Sequence, residues 1–179
     1  MAYSGFSLEG KTAVVVGGTS GLGKSIALGF AESGANVVGT GRRAEEVTKT
    51  AAEVRAKGVK SLEVPCDATR RDSLQQFIDK VVGEFGAIDI LVNSAGMIKK
   101  GPSEDFAEED WNNIINLNVN GLWNSCQLVG RVMKERKKGK IINIASLASF
   151  VAMNQVTAYC ASKGAVAQIT RALGSEWAQ

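Results

Sequence analysis

The sequence predicts an α/β protein with a parallel, doubly wound sheet that is covered by helices on both faces. Short, continuous apolar runs alternate with longer amphipathic stretches, as expected for strands that are buried on both sides of a parallel sheet. Small and polar residues follow three of these runs, at the strand ends where open sheets of this kind bind ligands. With 179 residues and no repeat or linker, we expect one domain over 1–179.

The individual elements follow from hydrophobic periodicity and from helix-end signals. Five β-branched or apolar runs predict strands at 12–17, 36–40, 61–65, 88–93 and 140–145. Helices are predicted at 20–33, 44–57, 69–85, 108–138 and from 157 onward. Gly34 and Gly58 stand where the first two helices should end, and Thr69 with Asp72 has the spacing of a capping box.

Composition excludes several classes of function. The net charge of +3 is too small to indicate a nucleic-acid or membrane partner. Basic residues do cluster near the end of the fourth predicted helix, and we interpret them as a solvated helix end rather than a nucleic-acid site. They are Arg131, Lys134, Arg136, Lys137, Lys138 and Lys140. No signal peptide or membrane-length apolar run is present, so we expect a cytoplasmic protein.

Histidine is absent from the chain, which removes histidine-based catalytic triads and histidine-ligated metal sites. The three cysteines, Cys66, Cys126 and Cys160, lack the spacing of metal ligands. We therefore expect no metal site, and we expect the thiols to be reduced.

A glycine-rich turn between the first strand and the first helix has the properties of a phosphate cradle. Glycine lets the backbone approach a pyrophosphate, and the helix N-terminus supplies N–H groups. The spacing is Gly-x-x-x-Gly-x-Gly, one residue longer than the common dinucleotide fingerprint. The residues of this turn are Gly17, Thr19, Ser20, Gly21, Leu22 and Gly23.

The end of the second strand indicates which dinucleotide is bound. A cofactor with a free 2′-hydroxyl usually meets a carboxylate there, whereas a 2′-phosphate suits a guanidinium. The sequence places Arg42 and Arg43 at this point and no acid. This pattern favours NADP(H), and NAD(H) remains the alternative if both arginines merely begin a solvated helix.

Tyr159 and Lys163 are four residues apart in a predicted helix and so share one face. A nearby ammonium favours the phenolate form of tyrosine, which allows the side chain to act as an acid or a base. Ser146 follows the last predicted strand, and its hydroxyl would be able to donate to a substrate oxygen. Each signal is weak alone, because a surface helix or a strand-end turn can carry such residues without a function.

Taken together, these motifs resemble the short-chain dehydrogenase/reductase family, over about residues 8–179. The glycine turn, the Tyr-x-x-x-Lys pair and Ser146 match the family's motifs in order. Further matches are Asp67 with Ala68 after the third strand, Asn93, Ala95 and Gly96 after the fourth, and Asn118 in the long helix. Val16 and Ser94 depart from the family pattern, where threonine and a second asparagine are usual.

The resemblance implies a Rossmann-type fold and a role for each matched residue. Tyr159 would be the acid/base, and Lys163 would assist it and bind the nicotinamide ribose. Ser146 would orient the carbonyl, Asn118 would hold a proton-relay water, and Asp67 would hold the adenine. Arg42 would contact a 2′-phosphate. The implied reaction interconverts a carbonyl and a secondary alcohol on a small molecule, either a sugar acid or polyol or a 3-oxoacyl compound.

Two alternative functions remain beside this resemblance, and the resemblance also implies an oligomeric state. A non-catalytic NADP-binding module, or an inactive fragment, would keep the glycine turn without using Tyr159. A nucleotide-fold methyltransferase also has such a turn but leaves the Ser-Tyr-Lys set unexplained. The family's subunit interface implies a homotetramer or homodimer, with Ala165, Val166 and Ile169 among the interface residues.

The sequence ends at Gln179, within the helix that carries Tyr159 and Lys163. The resemblance implies further strands and a substrate-covering segment after this point. We therefore expect the final strands to be missing through C-terminal truncation, which would leave the last predicted strand as an open sheet edge.

Overall fold

The computed structural model describes residues 4–178 and contains a parallel sheet of four strands. The strands are β1 (Thr12–Val16), β2 (Asn36–Thr40), β3 (Ile90–Asn93) and β4 (Lys140–Asn143). Their order in the sheet is β2-β1-β3-β4, with every neighbouring pair parallel. The chain thus builds outward in both directions from β1, and a crevice opens at the carboxyl ends of β1 and β3. The predicted fold class is confirmed.

Six α-helices connect and follow the strands within the described residues. They are α1 (Gly21–Glu32), α2 (Ala44–Arg55), α3 (Arg71–Phe85), α4 (Glu108–Ile115), α5 (Leu122–Glu135) and α6 (Thr157–Trp177). A π-helical segment, Asn116–Gly121, joins α4 to α5. Short 3-10 turns span Ser4–Phe6 and Leu147–Ser149. No helix of residues 4–178 is long and apolar enough to cross a membrane.

Side chains of the central strands are buried on both faces of the sheet. Along β1, alternate residues enter different cores: Val14 packs in the cluster beneath α3 and α5, whereas Val15 packs in the cluster beneath α1. All five β1 residues are buried. This two-sided burial explains the uninterrupted apolar run, because neither face of the strand has a position that meets water.

The predicted strand at 61–65 is wrong. The backbone hydrogen bonds beside β2 flank this stretch, from Val37 N to Lys60 O (3.0 Å) and from Cys66 N to Gly41 O (3.0 Å). Between these bonds the Thr40 hydroxyl donates to the Val64 carbonyl (2.6 Å), where a ladder would use a backbone N–H. The stretch is therefore extended without forming a strand.

The helix ends agree with the sequence in some places and differ in others. Gly34 and Gly58 have positive φ angles (94° and 86°) just beyond α1 and α2, as expected of helix-ending glycines. The predicted capping box is wrong, because α3 begins at Arg71 and the Thr69 hydroxyl donates to Asp67 Oδ1 instead (2.7 Å). The long helix predicted at 108–138 is interrupted by the π-helical segment and ends at Glu135.

Candidate active site

A cleft of about 410 Å³ opens at the carboxyl ends of β1, β3 and β4. Seven segments converge on it: the glycine turn, the end of β2, the stretch after residue 65, the loop after β3, the π-helical segment, the stretch after β4 and the start of α6. Of the predicted site residues it is lined by Gly17, Thr19, Ser20, Leu22, Gly23, Arg42, Asp67, Ala68, Ala95, Gly96, Tyr159 and Lys163. The lining does not include Gly21, Asn93, Asn118 or Ser146.

Backbone atoms meet closely in the glycine turn. Gly17 has φ of +81°, and a Cβ there would lie 2.5 Å from the Ala95 nitrogen at the end of β3. A Cβ on Gly23, in the first turn of α1, would overlap the Gly17 carbonyl oxygen. Ser20 precedes α1 and makes no side-chain hydrogen bond to the first turn. The turn thus gives a narrow cradle at a helix N-terminus, which fits a pyrophosphate.

Arg42 is exposed and lines the cleft at the end of β2. A Cβ on the adjacent Gly41 would lie 2.9 Å from the Thr19 hydroxyl, so the backbone passes close to the glycine turn here. The acidic residue in the cleft lining is Asp67, whose Oδ1 accepts hydrogen bonds from the Thr69 N–H (3.0 Å) and hydroxyl (2.7 Å). The arrangement therefore offers a guanidinium, rather than a carboxylate, beside Gly41.

Asn93 lies at the end of β3 with its side chain directed into the protein. The Ser125 hydroxyl donates to Asn93 Oδ1 (2.5 Å), and the Asn93 amide donates to Asn143 Oδ1 (2.9 Å). The side chain is 3% exposed. Its polar atoms are thus engaged in joining β3 to β4 and α5. Its side chain anchors the strand end in this structure, and contact between Asn93 and a cofactor stays a prediction.

Tyr159 and Lys163 lie on the first turns of α6, with the Lys163 Nζ 5.7 Å from the centre of the Tyr159 ring. The Lys163 ammonium is buried and donates to the Ile144 carbonyl just beyond β4 (2.7 Å). Burial lowers the pKa of Lys163 below its ordinary value, because the charged form loses hydration. The lysine is thus held beside the tyrosine ring at the inner end of the cleft.

Asn118 belongs to the π-helical segment, and its side-chain amide is fully occupied. It accepts a hydrogen bond from the Met97 N–H (2.8 Å) and donates to the Met97 carbonyl (2.9 Å) and to Ser162 Oγ (3.0 Å). Ser162 in turn donates to the Tyr159 carbonyl (2.8 Å). Asn118 therefore ties the loop after β3 to the helix of Tyr159. π-Helical segments of this kind frequently occur at functional sites.

Ser146 precedes the 3-10 turn Leu147–Ser149 and caps it. Its Oγ accepts a hydrogen bond from the Ala148 N–H (3.1 Å). With the oxygen engaged as an acceptor, the hydroxyl proton is available to a further partner. Ser146 is partly buried at the end of β4, the same strand end that receives the Lys163 ammonium.

Several lining residues were not singled out from the sequence. They are Gly41, Cys66, Ile98, Leu117 and Ile144. Burial raises the pKa of the Cys66 thiol to about 11, so it lines the cleft as a neutral group. Ile98 and Ile144 follow the small and polar residues at the ends of β3 and β4. Their place in the sequence, just after a strand end, could have identified them as cleft residues. No group of residues in the described part of the chain has the composition of a metal site.

The comparisons with known proteins agree with this geometry. The family model described as short chain dehydrogenase matches residues 11–179. The 2-dehydro-3-deoxy-D-gluconate 5-dehydrogenase of Escherichia coli (strain K12) is 41% identical over 180 residues, covering 100% of this chain and 70% of that protein. The D-threitol dehydrogenase of Mycolicibacterium smegmatis is 40% identical and covers 96% of this chain and 66% of that protein.

Solved structures give the same result. A gluconate 5-dehydrogenase from Burkholderia cenocepacia J2315, in complex with NADP and tartrate, superposes with a TM-score of 0.92 at 36% identity. That match covers 97% of this chain and 68% of the other. An NAD⁺-bound xylitol dehydrogenase gives a TM-score of 0.93 at 32% identity, over 95% of this chain and 66% of the other. This chain belongs to the short-chain dehydrogenase family, and it spans about two thirds of the length of these relatives.

Proposed function

We propose that the protein is an NAD(P)-dependent oxidoreductase that interconverts a secondary alcohol and a carbonyl, with Tyr159 as the general acid/base. The observation that carries the proposal is the buried Lys163 ammonium held beside the Tyr159 ring in the cleft. The glycine turn fits a dinucleotide, because Gly17 and Gly23 have no room for a Cβ and bring backbone segments together at the N-terminus of α1. When bound there, the nicotinamide cofactor supplies or accepts the hydride.

The chain's own residues handle the proton. Tyr159 gives its hydroxyl proton to a substrate alkoxide in reduction and removes the alcohol proton in oxidation. Lys163 lies beside the Tyr159 ring, and the available Ser146 proton donates to the same substrate oxygen. Asn118, through Met97 and Ser162, keeps the walls of the cleft in place. Lys163, Asp67 and Arg42 would hold the ribose, adenine and 2′-phosphate.

We further propose a sugar acid or a polyol as the substrate class. The support comes from relatives named as dehydrogenases of 2-dehydro-3-deoxy-D-gluconate, D-threitol and gluconate. These names favour the sugar-acid or polyol alternative of the sequence analysis over the 3-oxoacyl alternative. A polyhydroxylated substrate also suits an open cleft that has polar as well as apolar lining residues.

The central test compares Tyr159→Phe with the wild-type chain. We expect turnover of sugar acids or polyols to fall by about a hundredfold or more, while NADPH binding, followed by cofactor fluorescence, stays within a factor of about two. Cys160→Ser, on the same helix but outside the cleft lining, is the control and should change neither quantity. Equal turnover in Tyr159→Phe would remove Tyr159 from the mechanism. Cofactor binding by the wild type with no turnover of any substrate in the panel would favour the non-catalytic binding module.

Cofactor preference is tested by titrating the chain separately with NADPH and NADH. We propose that NADPH binds more tightly because Arg42 meets its 2′-phosphate. Arg42→Gln should weaken NADPH binding by about tenfold or more, since a hydrogen bond to a charged group is lost, and should leave NADH binding unchanged. Arg43→Gln is the matched control, because Arg43 is a neighbouring exposed arginine outside the cleft lining. A preference for NADH in the wild type would contradict the assignment.

A further inference from the structure

We propose that Ser149 is a positioning residue that holds the turn carrying Ser146 in register with helix α6, which carries Tyr159 and Lys163. The inference rests on the proposed function, because it concerns how the two halves of the catalytic set are aligned. Ser149 does not line the cleft. Its effect on the reaction must therefore pass through the residues that it joins.

The Ser149 hydroxyl makes two hydrogen bonds of opposite kind. It donates to the Lys163 carbonyl oxygen (2.8 Å), fourteen residues along the chain. It also accepts a hydrogen bond from the backbone N–H of Ser146 (3.4 Å). One hydroxyl thus contacts the backbone of both proposed catalytic elements, the strand-end serine and the lysine of α6.

Capping alone does not explain both bonds. Acceptance from the Ser146 N–H completes the capping box of the 3-10 turn. Donation to Lys163 serves no capping purpose, because that carbonyl is in the interior of α6 and has a backbone partner within the helix. The second bond is therefore not needed to satisfy a buried polar group. It fixes the distance between the turn and the helix.

A second hydrogen bond joins the side chain of Lys163 to the chain after β4. The Lys163 Nζ donates to the Ile144 carbonyl (2.7 Å), two residues before Ser146. Lys163 is thereby attached to the chain after β4 at both its side-chain and its backbone ends. Without the Ser149 bond, the ammonium contact would remain but the backbone of α6 would be free to shift against the Ser146 turn. Small misplacements of reacting groups have large effects on rate.

The test uses three substitutions at Ser149 and one matched control elsewhere. Ser149→Ala removes the hydroxyl, Ser149→Cys keeps its shape but donates weakly, and Ser149→Thr keeps the hydroxyl. The control is Ser33→Ala, because the Ser33 hydroxyl also donates to a helix carbonyl, that of Gly29 (2.9 Å), at an exposed site outside the cleft lining. All four variants are compared with the wild type in turnover, NADPH affinity and Lys163 reactivity.

The expected result is a loss of kcat without loss of cofactor binding. Ser149→Ala should lower kcat by about tenfold to a hundredfold, with NADPH affinity within a factor of about two. Ser149→Cys should fall between Ser149→Ala and the wild type, so the inference stays testable if the alanine variant fails to fold. Ser149→Thr should restore most of the rate, and Ser33→Ala should match the wild type. An unchanged kcat in both Ser149→Ala and Ser149→Cys overturns the proposal.

A second readout does not depend on turnover. Lysine amines are labelled with acetic anhydride across a range of pH, and the extent of reaction at Lys163 is measured by peptide mass spectrometry. Loosening of the turn admits water to the ammonium and favours its charged form, so Ser149→Ala should move the pKa of Lys163 upward and shift its labelling profile to higher pH. Ser149→Thr and Ser33→Ala should not. If the wild type has no dehydrogenase activity, the proposed function fails, and an unchanged Lys163 profile in Ser149→Ala then separately overturns the role of Ser149.

Discussion

At the scale of single residues, two glycines of helix α1 differ in the space around them. A Cβ on Gly23 would overlap the Gly17 carbonyl oxygen, whereas a Cβ on Gly29 would meet nothing within 4 Å. The first glycine is needed for close approach of two backbone segments. The second has no such contact and only lowers the helix propensity of α1.

Alanine substitution separates these two roles. Gly23→Ala should destabilise the chain by about 1–3 kcal/mol through overpacking and abolish NADPH binding, because backbone cannot move aside as a flexible side chain would. Gly29→Ala should stabilise it by about 0.5–1 kcal/mol with NADPH binding intact. Urea unfolding and cofactor fluorescence measure the two effects. Normal NADPH binding by Gly23→Ala would contradict the cradle described here.

Lys163 makes the stability of the fold depend on pH. Burial lowers its folded-state pKa, so the unfolded chain binds the proton more tightly. Stability therefore rises with pH between the lowered pKa and the ordinary value of about 10.4, and the burial penalty is fully present below that window. Lys163→Met removes this dependence.

The corresponding measurement is urea unfolding of wild type and Lys163→Met at several pH values from neutral to alkaline. We expect the difference in unfolding free energy to shift in favour of the wild type as pH rises. Lys100→Met, at an exposed lysine of the loop after β3, controls for loss of one surface charge and should show no such shift. A difference that stays constant with pH would mean that Lys163 is not buried as its ammonium.

At the scale of elements, hydrophobic patterning predicted the four strands because each is a short apolar run with a distinct boundary. It failed at 61–65, where Leu62 and Val64 do pack on the core. What decides strand formation there is whether backbone groups meet those of β2, and a run of apolar residues does not carry that information.

The parts of the site that consist of short sequence motifs were predictable. The glycine turn (apart from Gly21), Arg42 and the Tyr159–Lys163 pair line the cleft. Cofactor contact by Asn93 stays a prediction, and the direction of its side chain was not predictable because the face on which a strand-end side chain emerges depends on register. In register with Asn143, Asn93 faces inward, and the next residue, Ser94, lines the cleft instead. Leu117 and Ile144 come from separate elements that only the assembled fold brings together.

At the scale of the whole molecule, β4 is an edge strand among the described residues, since it pairs only with β3. Ile142 on this strand is 43% exposed, whereas its neighbour Ile141 packs against the core. An unpaired edge with an exposed apolar side chain favours edge-to-edge association.

Charge on this edge should oppose that association. Ile142→Lys is expected to reduce concentration-dependent self-association of the 179-residue chain, measured by sedimentation velocity, with little change in unfolding free energy. Ile141→Lys is the contrasting variant and should destabilise the fold, since it places an ammonium against the core. Equal self-association of wild type and Ile142→Lys would exclude this edge as the contact.

A homotetramer or homodimer, implied by the family resemblance, stays a proposal. Of the residues expected at such an interface, Val166 is fully buried within the chain, in a cluster with Leu122, Cys126 and Leu173. It packs between α5 and α6 and is not available to a partner subunit. Ala165 and Ile169 keep part of their surface.

The cleft is lined by residues from Val16 to Lys163, so nearly the whole length of the chain contributes to one ligand site. An unfolded chain has no such site, and occupancy must therefore be thermodynamically linked to global unfolding. A nucleotide present at a hundredfold excess over its dissociation constant would add about 2.7 kcal/mol to the stability of the entire fold. Cellular cofactor concentration would then govern how often this protein opens to proteases, as well as how often it turns over.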